Sequence, residues 1–147
     1  MTLEDGLRDH LLASPILLTL APADPRETHL ADLTDVRQRI LIAEVGGEPV
    51  AYLRIGPHSD DVTELLQDEG TAAITGAYTV PGWRSTGVAA SLLEAAIDWA
   101  RSSGYERCGV DFESANLEGS RFWFEHFQPV SVAFVRRLGP EAGRVVG

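Results

Sequence analysis

Lysine is absent from this sequence of 147 residues, and all 12 basic side chains are arginine. The α-amino group is therefore the only primary amine in the chain. There is one cysteine, Cys108, so no internal disulfide can form, which fits a reducing cytoplasm. His10, His29, His58 and His126 are scattered without metal-ligand spacing, and no metal is expected. No apolar run nears the roughly 20 residues of a membrane span, and the start Met1-Thr2-Leu3-Glu4-Asp5 is acidic. Neither an anchor nor a signal peptide is expected. Positive charge is scarce as well, since 22 Asp and Glu leave a formal net charge of −10. That balance disfavours nucleic acid and acidic membrane surfaces as partners and points only weakly to a cationic one. Internal repeats and low-complexity tracts are missing.

What is present suits one compact domain. A chain of this length buries about two thirds of its unfolded surface, enough for a single core. Leu3 to Leu12 reads as a short amphipathic helix ended by Ser14-Pro15, and Ile16 to Leu20 as a strand. Glu27 to Arg39 reads as a second helix with Leu30, Leu33 and Val36 inward. Ile40 to Val45 and Pro49 to Ile55 flank Gly46-Gly47, the signature of a β-hairpin whose glycines supply the positive φ of a primed turn. Pro57 to Gly70 is acidic and polar, an exposed connection with a helical piece at Val62 to Gln67. Further strands are expected at Ala72 to Val80, Arg107 to Glu113 and Val130 to Arg137, with a helix at Asn116 to His126.

The stretch Thr79-Val80-Pro81-Gly82-Trp83-Arg84-Ser85-Thr86-Gly87-Val88-Ala89 carries the most information. A hydrophobic run stops at Pro-Gly, and a loop of small residues opens into a helix with Val88, Leu92, Ala96 and Ala100 beside Ala89, Leu93 and Ile97 on one face. Ser91, Glu94, Asp98 and Arg101 take the other face, and Gly104 is a natural stop. Small residues let backbone amides approach a ligand, and the helix start favours an anion. Two nucleotide motifs fail here. Gly82 and Gly87 have P-loop spacing, but Val88-Ala89 stand where lysine and a hydroxyl residue are needed. The dinucleotide fingerprint fails because Ser85 and Ala89 flank Gly87.

Arg84-x-x-Gly87-x-Ala89 resembles the pyrophosphate loop of the GNAT superfamily of acyl-CoA-dependent N-acetyltransferases. That family's loop is Arg/Gln-x-x-Gly-x-Gly/Ala after a strand ending in Val-x-Pro. At the spacings of the family's second motif, Asn-x-x-Ala-x-x-x-Tyr at the start of the next helix, stand Asn116, Gly119 and Trp123. The resemblance covers residues 39–138, behind a variable N-terminal helical region at 1–38. It implies an α/β fold with a mixed, mainly antiparallel central sheet flanked by helices. Either Ile16 to Leu20 is the first strand of that fold, or the chain begins part-way through it, and a second copy or another polypeptide would have to cover the bare edge.

The resemblance also implies a function, transfer of an acetyl group from acetyl-CoA directly to an amine of a small molecule or peptide. It assigns the pyrophosphate to the backbone amides of Arg84, Ser85, Thr86, Gly87, Val88 and Ala89, and pantetheine pairing to the backbone of Tyr78, Thr79 and Val80. Asn116 is matched as a cofactor contact, and an asparagine before a helix is also an N-cap, so it acts as a cap alone or as cap and ligand. Trp123 stands where the family has the tyrosine that protonates the leaving thiolate, and an indole cannot act as an acid near neutral pH. Phe122, Trp123 and Phe124 cannot all face one way, so at least two serve packing. Asp111 and Glu113, near a strand end, are the carboxylates named for the base, and Tyr52 and Tyr78 are other polar tips nearby. The alternatives are a non-catalytic CoA-binding module that has lost its acid and base, or one half of a larger acyltransferase.

Overall fold

The computed structural model describes Leu3, residues 36–57, 68–112 and 116–132, and Phe134. The expected helix from Leu3, the strand at Ile16 to Leu20, the piece at Val62 to Gln67 and the carboxylate Glu113 therefore lie wholly or mostly outside the described residues.

Among the described residues four strands form one sheet: β1 (Arg39–Val45), β2 (Glu48–Gly56), β3 (Thr71–Thr79) and β4 (Arg107–Val110), side by side in that order. The first three are antiparallel neighbours, and β4 runs parallel to β3. The β1–β2 hairpin closes through Gly46 and Gly47 at φ 61° and 84°, both in the left-handed region that a type I′ turn requires. Helix α1 (Val88–Ser102) joins β3 to β4 and lies against β1, β2 and β3, and helix α2 (Leu117–His126) follows β4. A mixed, mainly antiparallel sheet with helices is thus observed.

The apolar stripe expected on α1 is the one it buries. Leu92, Leu93, Ala96 and Ala100 pack on Ala51, Leu53, Ile55, Ala72 and Ile74, while Ser91, Glu94, Asp98 and Arg101 stay in water. The helix ends as Gly104 predicts: at φ 91° its amide meets the Arg101 carbonyl, and the Tyr105 amide reaches back to Ala100 at 3.0 Å. That pair of bonds is a Schellman motif, with the Tyr105 ring against Trp99 as its apolar contact.

Three expectations need correction. Helix does not reach Arg39, because Arg39 already pairs with Ile55 in β1, and Val36 is 91% exposed in a turn instead of inward. β4 stops at Val110, short of Glu113, because its pairing with β3 ends there. Val130, Ser131, Val132 and Phe134 form no strand; the alternation is real, but no described edge receives it, and Val130, Val132 and Phe134 are exposed.

The β3–β4 seam is tied by side chains at its Thr71–Arg107 end. Asp68 accepts from the Gly70 amide at 2.9 Å and the Thr71 hydroxyl at 2.8 Å, and its other oxygen accepts from Arg107 at 2.8 Å. Arg107 also donates to the Thr71 hydroxyl at 3.2 Å, beside the first parallel pair, Thr71 with Arg107. The Thr71 hydroxyl, with help from Arg107, holds the Asp68 carboxyl below its ordinary value. A carboxyl lowered by folding contributes stability above its unfolded pKa of 3.8 and loses it as pH falls through the folded value. Asp68→Asn is expected to lower the thermal midpoint at pH 7, with the gap to wild type narrowing below about pH 3.8; a gap independent of pH counts against this tie.

At the other end the strands part. The pairing of β2 with β3 slips between Arg54 and Ile55, leaving Thr75 as the extra residue of a bulge. Arg54 fastens it, donating to the Thr75 hydroxyl at 2.9 Å and the Thr75 carbonyl at 3.3 Å. A bulge bends and twists its strand, and the β3–β4 pairing ends one residue earlier, at Ile74 with Val110. Past Val110 the chain heads for α2, where Phe112 meets Phe124 edge to face at 5.4 Å.

Candidate functional site

Where β4 leaves, the far half of β3 keeps an edge that is unpaired among the described residues. The Val80 amide bonds the Val50 carbonyl at 2.9 Å, so residues 80 and 78 turn their backbone groups to β2. By alternation Ala77 and Thr79 turn theirs the other way, into the gap. Of the three positions assigned to strand-like pairing, Thr79 faces the gap, whereas Tyr78 and Val80 are committed to β2. Ala77 is the second edge position, missed because the sequence does not show the register.

The loop after β3 continues this edge. Pro81–Trp83 makes a single 3-10 turn, which uses the amides of Trp83 and Arg84 on the carbonyls of Val80 and Pro81. Gly87 is the N-cap of α1 at φ 88°, with no side-chain cap, and no acidic residue lies in the first turn. The first amide with a helical partner is that of Ser91, on the Gly87 carbonyl at 3.0 Å. Between them, the amides of Ser85, Thr86, Gly87, Val88, Ala89 and Ala90 have no hydrogen-bond partner among the described residues. Ser85, at φ 58°, is the one described non-glycine residue in the left-handed region. Left-handed residues beside a helix start make N–H-lined concavities suited to anions.

Edge and loop open on one cleft of about 690 Å³, the size of a small-molecule site. Ala77, Tyr78 and Thr79 form one wall and Arg84, Ser85, Gly87 and Ala89 one end. The other wall is α2, through Asn116, Gly119, Phe122 and Trp123. Val80, Thr86 and Val88 do not line it, nor does Asp111, which is exposed beyond the end of β4. Glu118 and His126, given no site role by sequence, join the lining, and so does Tyr52, named as a polar tip, which pairs across the strands with Tyr78. An acid in a helix's first turn reads as a dipole partner, and nothing in sequence brings Glu118 to Arg84, 34 positions earlier.

Asn116 caps α2, its Oδ1 accepting from the Gly119 amide at 3.2 Å. Gly119 makes room for this, since a Cβ there would lie 2.9 Å from Asn116 Nδ2. Trp123 is 8% exposed and belongs to the core, its ring meeting Phe122 at 4.9 Å and Phe127 at 5.7 Å. Phe124 turns outward, so Phe122 and Trp123 are the two that pack, as the run of three aromatics required. Cys108 lies in β4 away from the cleft, and burial pushes its thiol up to about 11. At neutral pH that thiol is protonated and a poor nucleophile. Among the described residues no group of three or more His, Cys, Asp or Glu could hold a metal ion, and no helix is long and apolar enough to cross a membrane.

The family model described as the acetyltransferase (GNAT) family matches residues 7–127. The chain belongs to that family. Among solved structures, an aminoglycoside N-acetyltransferase in complex with CoA aligns at 19% identity over 91% of this chain and 90% of its own, with a TM-score of 0.66. An aminoglycoside antibiotic 6'-N-acetyltransferase from Acinetobacter haemolyticus aligns at 21% identity, 92% and 95% coverage and a TM-score of 0.65. A ribosomal-protein-alanine N-acetyltransferase from Brucella melitensis aligns at 18% identity, 92% and 88% coverage and a TM-score of 0.63. Likeness at these identities shows the GNAT fold. A search of curated proteins by sequence found no match. In this GNAT chain the bulge at Thr75 precedes the open edge of β3, and that edge and the capless start of α1 both line the cleft.

Proposed function

We propose that this GNAT protein transfers an acetyl group from acetyl-CoA to an amine of a small molecule or peptide. The observation that carries the reading is the continuity between the open β3 edge at Ala77 and Thr79 and the unpartnered amides from Ser85 to Ala90. A cofactor with an extended, amide-bearing arm and a pyrophosphate fits both halves at once. Acetyl-CoA supplies the thioester. The chain's own part is to hold the pyrophosphate on the loop amides, to pair the arm on the edge, and to pack Trp123 at the floor. Cys108, protonated and outside the cleft, supports direct attack by the amine over a covalent enzyme intermediate. Glu113 is the carboxylate proposed to take the amine's proton; Asp111, off the cleft, is set aside for that role.

CoA and acetyl-CoA are expected to raise the thermal midpoint by several degrees. Ligand at about 100 times its Kd adds roughly 2.7 kcal/mol, and each kcal/mol is worth about 2–4 °C in a domain of this size. ATP and NAD lack the amide-bearing arm and shift it much less. Equal shifts from ATP would overturn the cofactor assignment. A second reading, a CoA-binding module without catalysis, is favoured by the buried indole of Trp123 at the family's acid position. Thiol release from acetyl-CoA with a panel of primary amines separates the two readings, because binding without release leaves only the module.

A further inference from the structure

Arg84 is held at three points. Its Nε donates to the Thr79 carbonyl at 3.1 Å, and an NH1 hydrogen goes to Glu118 Oε2 at 2.6 Å. Its guanidinium also sits 5.7 Å from the centre of the Tyr78 ring. Together these contacts run from the end of β3 to the first turn of α2, across the mouth of the cleft. The Thr79 carbonyl is one of the two edge positions facing the gap, so in the free protein the acceptor that an extended ligand arm would use is already occupied. The guanidinium beside the unpartnered amides is at the same time neutralised by a carboxylate.

Resting on the reading of the cleft as a CoA site, we propose that Glu118 is a positioning residue that competes with the cofactor for Arg84. The ion pair with Glu118 clasps Arg84 over the edge carbonyl. A pyrophosphate arriving at the loop takes Arg84 from Glu118, and that swing uncovers Thr79 for the arm that follows. The pair is suited to yield. Its side chains are 27% and 63% exposed, and ion pairs this open to solvent are weakly held. A pyrophosphate brings more charge, and it binds the loop amides as well.

The test is a double-mutant cycle read by titration calorimetry with CoA on wild type, Glu118→Gln, Arg84→Ala and the double variant, each checked for cooperative melting. Glu118→Gln removes only the charge, and it is expected to tighten CoA about threefold to tenfold at low salt, less at high salt. In the Arg84→Ala background the same change is expected to matter less than about twofold, which a merely structural role for Glu118 would not produce. Glu118→Ala, which removes the acceptor as well, is expected to tighten binding at least as much and guards against a misleading effect of the glutamine. Affinity unchanged or weakened by Glu118→Gln, or tightened equally in both backgrounds, overturns the clasp. If folded wild type fails to bind CoA, the cofactor assignment itself falls, a failure visible before any variant is made.

Discussion

Gly87→Glu is expected to abolish measurable CoA binding while the protein still melts cooperatively. Gly87 sits at φ 88°, where a side chain costs about 1–2 kcal/mol of strain, and a Cβ built there meets no atom within 4 Å. The fold therefore survives the substitution. What it loses is the anion site, because the glutamate adds bulk and negative charge at the N-cap of α1, among amides with no partner of their own. Losing two or more charge-assisted hydrogen bonds, at roughly 1.5–3 kcal/mol each, lowers affinity by about 100-fold at least. Gly87→Ala carries the strain without the charge and should keep most of the binding, so calorimetry on the pair separates backbone strain from blockage. CoA bound within threefold of wild type by a folded Gly87→Glu protein would remove the loop from the cofactor site.

Trp123→Ala is expected to cost about 3–5 kcal/mol, the usual range for deleting a buried indole. The ring is 8% exposed, is wedged between Phe122 and Phe127, and belongs to the core that joins α2 to the sheet. Set against total stabilities of about 5–15 kcal/mol, that leaves a marginal protein whose melting midpoint falls by about 10 °C or more. Urea denaturation gives the number, and a loss under 1 kcal/mol would mean that the indole only lines the cleft. Trp123→Tyr separates packing from chemistry. It keeps an aromatic ring on the cleft and restores a phenol at the family's acid position, so thiol release should rise by up to about 100-fold if proton delivery limits turnover. An unchanged or lower rate, with stability retained, places the proton's source elsewhere.

Much of this was legible in sequence because local rules and tertiary packing agree. The Gly46-Gly47 hairpin, the stripe of α1, the stop at Gly104 and the cap at Asn116 are each set by residues within a few positions of one another, and the structure keeps all of them. The amide loop was legible for the same reason. What escaped depends on register and on distant partners. That Thr79 and Ala77, and not Tyr78 or Val80, face the gap follows from the pairing with β2 and the bulge at Thr75, which no single-strand pattern encodes. Val36 was misread because β1 claims Arg39 through its partner Ile55. Asp111 was misplaced because the strand was expected to run on to Glu113, whereas its pairing ends at Val110.

The open edge of β3 also bears on how this protein avoids its neighbours. A bare strand edge on the outside of a sheet invites another sheet to dock along it sideways, which is a common route to aggregation. This edge faces a cleft, and its residues are half-buried. Pairing with β4 closes it at one end, the wall of α2 faces it, and Arg84 covers its last carbonyl. The gap that offers a ligand arm its backbone partners is therefore walled against a second sheet approaching from the side.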